Sequence, residues 1–233
     1  MKLTILGSSS SGNCYLLHNE NEALVVECGV KFMEVKKALN FDISIISGCI
    51  VSHEHGDHAR YINEYLDAQI PVWTTAGTLE NIVLKSAKAT LIIEYKIEFT
   101  VGNFRILPFD VMHDCAEPAG FLIRHKECGT VLFATDTYYL RHKFKGLNNI
   151  LIECNYSEDI LFANINSGKL PAMVAERALQ SHMSYDTCRK TLLANDLTKV
   201  NNIVLIHLSA GNSNEIEFMQ GIQEATGKTV HIA

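Results

Sequence analysis

The densest group of metal-type side chains in the sequence lies within eight residues, from Val51 to His58. His53, His55, Asp57 and His58 follow the pattern H-x-H-x-D-H. On a helix, His53 and His55 would point about 200° apart, because each residue turns about 100°. On an extended backbone, residues two apart share a face. The stretch therefore predicts part of a metal site on extended backbone. The helical zinc motif H-E-x-x-H is excluded, because it needs i and i+4 spacing.

The predicted elements place these side chains in a loop between a strand and a helix. The apolar run 48–51 is typical of a short buried strand, and residues 59–66 have helical spacing. Further along the chain, His113, Asp136 and His207 each follow an apolar strand in the same way. A single Asp or His at a strand end is more often structural, but together the residues form a set of seven metal-type ligands.

Seven such ligands are enough for two divalent ions. Imidazole nitrogen suits zinc and iron, and a carboxylate can bridge two cations. One grouping has His53, His55 and His113 on the first ion, Asp57, His58 and His207 on the second, and Asp136 bridging them. Two cations about 3.5–4 Å apart lower the pKa of a shared water and clamp both oxygens of an in-line displacement. A hydroxide that forms near neutral pH would then attack phosphorus or carbon.

Length and composition indicate an ordinary globular protein. The 233 residues are 47% hydrophobic and 20% charged, and we expect one domain over residues 1–233. No apolar run approaches the roughly 20 residues that span a bilayer, and the first strand, 2–6, is too short for a signal peptide. The seven cysteines are odd in number and form no C-x-x-C motif, which favours reduced thiols and a cytoplasmic location. The net charge of −6 counts mildly against binding nucleic acid through the overall field.

The order of predicted elements favours two stacked sheets covered by helices. Each half of the chain begins with strands and continues with strand–helix units, which is not the pattern of a single parallel sheet. We predict a helix over residues 78–88 and an irregular, polar segment over 155–171. The histidines outside the candidate site are interpreted as surface or hairpin residues: His18, His125, His142 and His231.

The seven candidate ligands, in this order along the chain, resemble those of the metallo-β-lactamase fold superfamily. The resemblance covers essentially the whole chain. It implies an αββα sandwich, two stacked mixed sheets flanked by helices, with a pair of divalent ions, Zn²⁺ or Mn²⁺, at one edge. His55 stands where the oxygen-reducing di-iron branch usually has Glu. The resemblance therefore favours the hydrolase branch.

Shorter motifs resemble one group within that superfamily. Residues 9–13, 113–120, 153–155 and 182–184 are similar to the YycJ/WalJ-type small exonucleases, and the last two also resemble loops of ribonuclease Z. This resemblance implies active-site roles for Asp57, Glu153 and His182. The usual Asp-x-Gly after the third strand is replaced here by Glu27-Cys28-Gly29. The candidate substrate-binding residues are Ser10, Asn13, Lys143, Lys169 and Arg177.

The expected function is hydrolysis of a phosphodiester in DNA or RNA. Glu153 ends an apolar strand, where an unpaired carboxylate is costly, so a partner is expected and His182 is the natural one. His182 would protonate the leaving oxygen. The alternative, which the sequence favours less, is a loop histidine beside Ser184, a candidate helix N-cap. The alternatives are a hydrolase of a small ester, thioester or lactam, and a metal-binding module without turnover, which a missing ligand would favour. DNA versus RNA and the polarity of cleavage stay open.

Overall fold

The computed structural model of the protein describes residues 1–86 and 88–233. The chain clusters into two units, which are described separately. The first unit comprises Met1–Asp110 and Cys115–Glu127. The second comprises Val111–Asp114 and Cys128–Ala233.

The first unit contains a six-stranded mixed sheet with strands in chain order. Its first three strands are antiparallel, and the third to the sixth are parallel. The strands are β1 (Lys2–Ser9), β2 (Gly12–His18), β3 (Ala23–Val26), β4 (Ile46–Ile50), β5 (Val72–Thr74) and β6 (Thr90–Ile92). All of β3 and most of β4 are buried, as their continuous apolar sequences predict for strands covered on both faces.

Helices cover one face of this sheet, and three antiparallel strands cover the other. The helices on that face are α1 (Phe32–Ala38), α2 (Gly56–Ala59) and α3 (Ile62–Asp67). A fourth helix, α4 (Ala76–Glu80), follows β5, and its Gly77 amide donates to Glu117. The additional strands are β7 (Phe99–Val101), β8 (Phe104–Asp110) and β9 (Ala119–His125). On the helical face, Phe32 and Tyr65 pack with Leu16 and Val25 in one buried cluster. On the other face, Trp73 stacks on Phe99 with ring centroids 6.2 Å apart.

The second unit is built on four parallel strands with four helices. The strands, in sheet order, are β10 (Gly129–Ala134), β11 (Asn149–Glu153), β12 (Asn202–Ile206) and β13 (Thr229–Ile232). The helices are α5 (Glu158–Asn166), α6 (Ala172–Ser181), α7 (Tyr185–Leu193) and α8 (Glu215–Thr226). Parallel strands bring their carboxyl ends to one edge, which is where ligands bind in open α/β sheets. Side chains just after β10, β11 and β12 are therefore neighbours.

The prediction of an irregular segment over 155–171 is wrong, because α5 occupies Glu158–Asn166. Asn164 and Asn166 hide the helical pattern in the sequence. The helix forms because Leu161 is buried against Tyr156 and Ala175 of α6. Tertiary burial of this kind outweighs weak helix propensity.

The predicted helix 78–88 is also wrong over most of its length, because α4 ends at Glu80. The Asn63 side chain donates to the Val83 carbonyl at 3.0 Å and accepts from the Lys85 amide at 2.8 Å. These bonds fix the backbone in turns where a helix would need its own i to i−4 bonds. Residue 87 of the predicted helix lies outside the described residues.

His125 is not a surface residue but part of a buried polar cluster. Its Nδ1 accepts from the Glu127 amide at 3.2 Å, so Nε2 carries the ring proton and donates to Glu22 at 3.0 Å. Glu22 also accepts from the backbone amide and the side chain of Asn103. Burial alone would raise the pKa of Glu22, but the bonds from Asn103 and His125 outweigh it and lower that pKa. This pair could not be predicted from the sequence, because its two residues are about 100 positions apart.

Within the described ranges, the longest helix is α8 with 12 residues. None of the described helices combines the length and apolar character needed to cross a membrane.

Candidate active site

The loop after β4 presents His53 and His55 outside any helix, and His55 has the predicted extended backbone. His55 has φ −57° and ψ 145°, and α2 begins only at Gly56. The Nε2 atom of His53 lies 3.1 Å from Nδ1 of His55, and the Ser52 hydroxyl lies 2.8 Å from Nδ1 of His53. A hydrogen bond to the second ring nitrogen, such as the one at His53 Nδ1, fixes the orientation of a metal-ligating imidazole. Two ring nitrogens are thus held close together at the end of a buried strand.

His58 is fully buried in the first turn of α2 and has a carboxylate on each side. Its Nε2 lies 3.3 Å from Asp57 Oδ2, and its Nδ1 lies 3.5 Å from Glu27 Oε2. Glu27 also accepts from the Ser52 amide at 3.3 Å. In the sequence, Glu27 stands out only as a departure from the usual Asp. The signal for its role is an acidic residue directly after an all-apolar strand, where it needs partners.

Asn13 and Gly29 both pack against the segment that carries Asp57 and His58. The Asn13 amide donates to Asp57 Oδ2 at 3.2 Å and lies 3.1 Å from His58 Nε2. Because Asn13 is fully buried, this placement favours a role in holding Asp57 and His58 over direct contact with substrate. A Cβ atom on Gly29 would lie 1.6 Å from the Asp57 carbonyl oxygen, so this position requires glycine. Ser10, the other candidate in this region, is exposed.

In the second unit, four candidate residues meet at the carboxyl ends of the parallel strands. Ligand atoms of Asp136, Glu153, His182 and His207 all lie within 4.8 Å of one another. Asp136 and His207 have left-handed backbones with φ of 43° and 56°. Such conformations are unfavourable for residues other than glycine and cluster at functional sites. The Asn155 side chain supports His207 by donating to its carbonyl oxygen at 2.7 Å.

His113 is oriented so that one ring nitrogen faces two carboxylates. Its Nδ1 donates to the Ser181 carbonyl at 2.9 Å, and its Nε2 lies 3.3 Å from Asp114 and 3.4 Å from Asp136. Burial lowers the pKa of His113, although the charge of Asp136 offsets part of this effect. A neutral His113 therefore turns the lone pair of Nε2 toward carboxylate oxygens. A divalent cation stabilises such an arrangement, so these residues fit a metal.

Glu153 and His182 form the predicted contact. His182 Nδ1 lies 2.6 Å from Glu153 Oε1, and because a carboxylate only accepts, Nδ1 carries the proton. Glu153 also accepts from the amides of Thr137 at 2.8 Å and Met183 at 3.2 Å, and its Oε1 lies 3.3 Å from His207. Burial alone would raise the pKa of Glu153, but the charge and hydrogen bond of His182 lower it. Glu153 is thus held as a carboxylate.

The same pair raises the pKa of His182. Burial alone would lower that pKa, but the Glu153 charge and its hydrogen bond outweigh burial. His182 is the extended residue directly after α6, and Ser184 caps α7 by accepting from the Thr187 amide at 3.2 Å. The imidazole therefore sits on a short connector between two helix ends. It can hold a proton on Nε2 while Nδ1 stays bonded to Glu153.

The three basic candidates lie on the surface of the second unit. Arg177 donates to Asp114 at 3.0 Å. Asp114 directly follows His113 in the sequence, so Arg177 lies near this candidate ligand. Lys143 lies in the exposed segment after Asp136, and Lys169 lies in the exposed connection between α5 and α6. Contact of these three residues with substrate stays a prediction.

Comparison with known proteins identifies the family. A family model described as a beta-lactamase superfamily domain matches residues 24–208. The chain is 24% identical over 232 residues to exodeoxyribonuclease YycJ of Bacillus anthracis, covering 91% of this chain and 84% of that protein. It is 26% identical over 228 residues to exodeoxyribonuclease WalJ of Streptococcus pneumoniae, covering 91% of this chain and 83% of that protein. The metallo-β-lactamase fold protein YhfI from Bacillus subtilis superposes with a TM-score of 0.74 at 17% identity, covering 99% and 95%.

These matches confirm the predicted resemblance and fold class, while the prediction of a single domain stays a prediction. The superposition with YhfI identifies the metallo-β-lactamase fold. In the second unit, the ligand atoms of Asp136, Glu153, His182 and His207 lie close enough together to suit a divalent metal. With a family model that matches most of its length, the chain belongs to the beta-lactamase superfamily as a metal-dependent hydrolase of the metallo-β-lactamase fold.

Proposed function

We propose that the protein is an exonuclease-like phosphodiesterase that hydrolyses DNA or RNA with two divalent ions. The observation that carries this proposal is the bond between Glu153 and His182 beside Asp136 and His207. The sugar hydroxyl released from a phosphodiester leaves poorly as an oxyanion, so a positioned acid accelerates its departure. Acyl hydrolysis of a small ester, thioester or lactam needs no such pair. The names of the two relatives, both exodeoxyribonucleases, support the same substrate class.

The proposed metal ligands are the seven residues predicted from the sequence. Zn²⁺ and Mn²⁺ both accept nitrogen and carboxylate ligands, as this set offers. The first ion would have His53, His55 and His113, the second would have Asp57, His58 and His207, and Asp136 would bridge. When bound, such ions lower the pKa of a water and neutralise charge on the phosphoryl oxygens.

Side chains of the protein would orient the attacking water and protonate the leaving oxygen. Asp57, which Asn13 holds through its Oδ2, is the proposed carboxylate that orients the attacking water. His182 gives its Nε2 proton to the leaving oxygen and keeps Nδ1–H bonded to Glu153. After transfer the imidazole is neutral and still correctly oriented. It can then take a proton from water and begin another cycle.

We also propose that the protein acts in the cytoplasm. Cys14, Cys28, Cys49, Cys154 and Cys188 are buried free thiols. Burial raises the pKa of the Cys49 and Cys154 thiols, which keeps them protonated and unreactive. Thiols in this state are typical of reducing compartments, where nucleic acid is also available.

A panel of substrates tests the proposed function. Purified protein with Mn²⁺ or Zn²⁺ is incubated with 5′-labelled DNA, 5′-labelled RNA, bis(p-nitrophenyl) phosphate and a thioester. We expect cleavage of the phosphodiesters and of at least one nucleic acid, with binding that weakens as salt rises, because phosphate contacts release counterions. Efficient thioester hydrolysis with both nucleic acids left intact would show that the proposal is wrong.

A further inference from the structure

The segment that follows Asp136 combines exposed aromatic rings with exposed cations. Residues 137–145, here called the Tyr–Lys loop, read Thr-Tyr-Tyr-Leu-Arg-His-Lys-Phe-Lys and contain no acidic residue. Tyr138 and Tyr139 are 38% and 49% exposed. Arg141, Lys143 and Lys145 are exposed as well. The loop therefore carries three positive charges in a chain whose net charge is −6.

The loop has no helix or strand, yet its backbone is anchored near both ends. The Tyr138 amide donates to the Met112 carbonyl at 3.1 Å, and the Phe144 amide donates to Asn195 at 2.7 Å. The Thr137 hydroxyl donates to the carbonyl of Tyr139 at 2.8 Å, and the Leu140 side chain is buried. These anchors hold the loop backbone that carries the exposed side chains in place before any ligand arrives. Such preorganisation reduces the entropy lost on binding.

Aromatic rings interleaved with cations form the surface that binds unpaired nucleotides. Bases of a single strand stack on aromatic side chains while basic residues contact the phosphates. In a duplex the bases are stacked on each other, so a tyrosine ring finds no open base face. An acidic peptide would use the three cations but would leave Tyr138 and Tyr139 without a matching surface. The loop's chemistry thus favours a single strand of nucleic acid.

The position of the loop relates it to the scissile phosphate. Tyr138 and Tyr139 follow Asp136 by two and three residues. An extended chain spans at most about 3.6 Å per residue, so their backbones lie within about 11 Å of Asp136. Stacked nucleotides advance about 3.4 Å each along one strand, so this distance corresponds to the first few nucleotides beside the bond that is cut.

We infer that the Tyr–Lys loop binds the unpaired nucleotides next to the scissile phosphate. Bases stack on Tyr138 and Tyr139, and phosphates contact Arg141, Lys143 and Lys145. This inference rests on the proposed nuclease function and assigns single-stranded nucleic acid, or a single-stranded end, as the form of substrate. Two of the five side chains, the tyrosines, distinguish this surface from a merely solvated basic loop.

Binding measurements test the tyrosines directly. Fluorescence anisotropy measures the Kd of Mn²⁺-loaded protein for a cleavage-resistant phosphorothioate oligothymidylate of about 12 nucleotides, and for a blunt duplex. The double variant Tyr138→Leu/Tyr139→Leu keeps apolar bulk but removes the rings, and we expect Kd for the single strand to rise about 5- to 150-fold per lost stacking contact. Tyr138→Phe/Tyr139→Phe should bind within about threefold of the wild type. Phe41→Leu, at an exposed ring of the first unit, is the matched control.

The salt dependence tests the cations. Each phosphate contact adds about 0.7 to the slope of log K against log salt for a single strand. Lys143→Gln/Lys145→Gln should therefore reduce the slope by about 1.4, whereas Lys31→Gln, at an exposed lysine of the first unit, should leave it unchanged. Melting temperatures show that each variant is folded.

The outcomes separate this inference from the function on which it rests. If the wild type cleaves nucleic acid but the leucine variant binds single strands as tightly as the phenylalanine variant, the inference is wrong and the function stands. If the wild type binds the duplex tightly but not the single strand, the inference is likewise wrong and the function stands. A wild type that neither binds nor cleaves any nucleic acid overturns both.

Discussion

The proposed acid role of His182 yields the sharpest prediction. His182→Ala and Glu153→Gln should each reduce cleavage of a natural oligonucleotide by about 10²–10⁴-fold, which is what a positioned general acid contributes. This range corresponds to about 3–5 kcal/mol of transition-state stabilisation. It is plausible here because the bond between the two side chains is 2.6 Å long and Glu153 is fully buried. Charge-assisted bonds of this length are the strong ones.

The Glu153→Gln change acts through both the charge and the tautomer of the imidazole. The new amide can keep its carbonyl oxygen toward the amides of Thr137 and Met183, which preserves the fold. Its NH₂ group then faces His182 Nδ1, which must accept rather than donate. Losing the Glu153 charge also lowers the pKa of His182. The alkaline limb of the pH–rate profile should therefore move to lower pH in this variant.

The assay compares two leaving groups. Single-turnover cleavage of the oligonucleotide needs protonation of a sugar hydroxyl, whereas bis(p-nitrophenyl) phosphate releases a stable phenolate. Both variants should recover much of their activity on the second substrate. The double variant should be little worse than either single one, because residues that act as a unit are not additive. Glu224→Gln and His231→Ala, at exposed positions of the same unit, are the matched controls.

Two results would refute this reasoning. Equal losses on the two substrates would exclude an acid role, since an acid is needed only for the poor leaving group. Loss of metal from either variant would show that the pair has a structural role or is a ligand. Metal content is therefore measured by elemental analysis on every variant, together with its melting temperature.

Three further predictions concern metal content, packing and pH. Elemental analysis should find two divalent ions per chain, because seven ligands are too many for one four-coordinate zinc. His53→Ala and His58→Ala should each remove one ion. One ion or fewer in the wild type would count against the proposal. Gly29→Ala should destabilise the protein by about 3 kcal/mol or more in urea unfolding, because its Cβ would overlap a backbone carbonyl, while Gly211→Ala, with open space around it, should change little. Glu22→Gln should lower the free energy of unfolding at pH 7, because the pKa of this carboxyl is lowered in the folded protein. Such a carboxyl stabilises the fold above its unfolded pKa and loses that effect as pH falls, so the difference between variant and wild type should shrink below about pH 4.3. A constant difference from pH 7 to pH 3 would contradict this prediction.

Local rules were enough to predict which candidate residues come close together, while their role as metal ligands stays a prediction. His53 and His55 can bind one ion only from extended backbone; His55 is extended, and ring nitrogens of the two residues lie 3.1 Å apart. Asp136, Glu153 and His207 follow apolar strands that turn out to be parallel neighbours. Parallel pairing aligns such strand ends without any further information.

Contacts between distant parts of the chain were not predictable. The buried pair of Glu22 and His125 joins residues 103 positions apart, and no periodicity signals it. Asn13 was predicted to contact substrate, but its surroundings are set by how β2 packs beside α2. Helix α5 depends on the burial of Leu161, which the sequence of that segment alone does not reveal. In each case, tertiary packing determines what local propensity leaves open.

The connector from Ser181 to Met183 has a consequence for how this chain can vary in length. The Ser181 carbonyl orients His113, the His182 ring binds Glu153, and the Met183 amide binds Glu153 as well. One residue added to or removed from α6 would turn its end by about 100° and break all three contacts at once. Insertions and deletions should therefore be tolerated before α6, around residues 167–171, and rejected within it. A library of single-residue deletions across 160–184, selected for activity, would map this boundary.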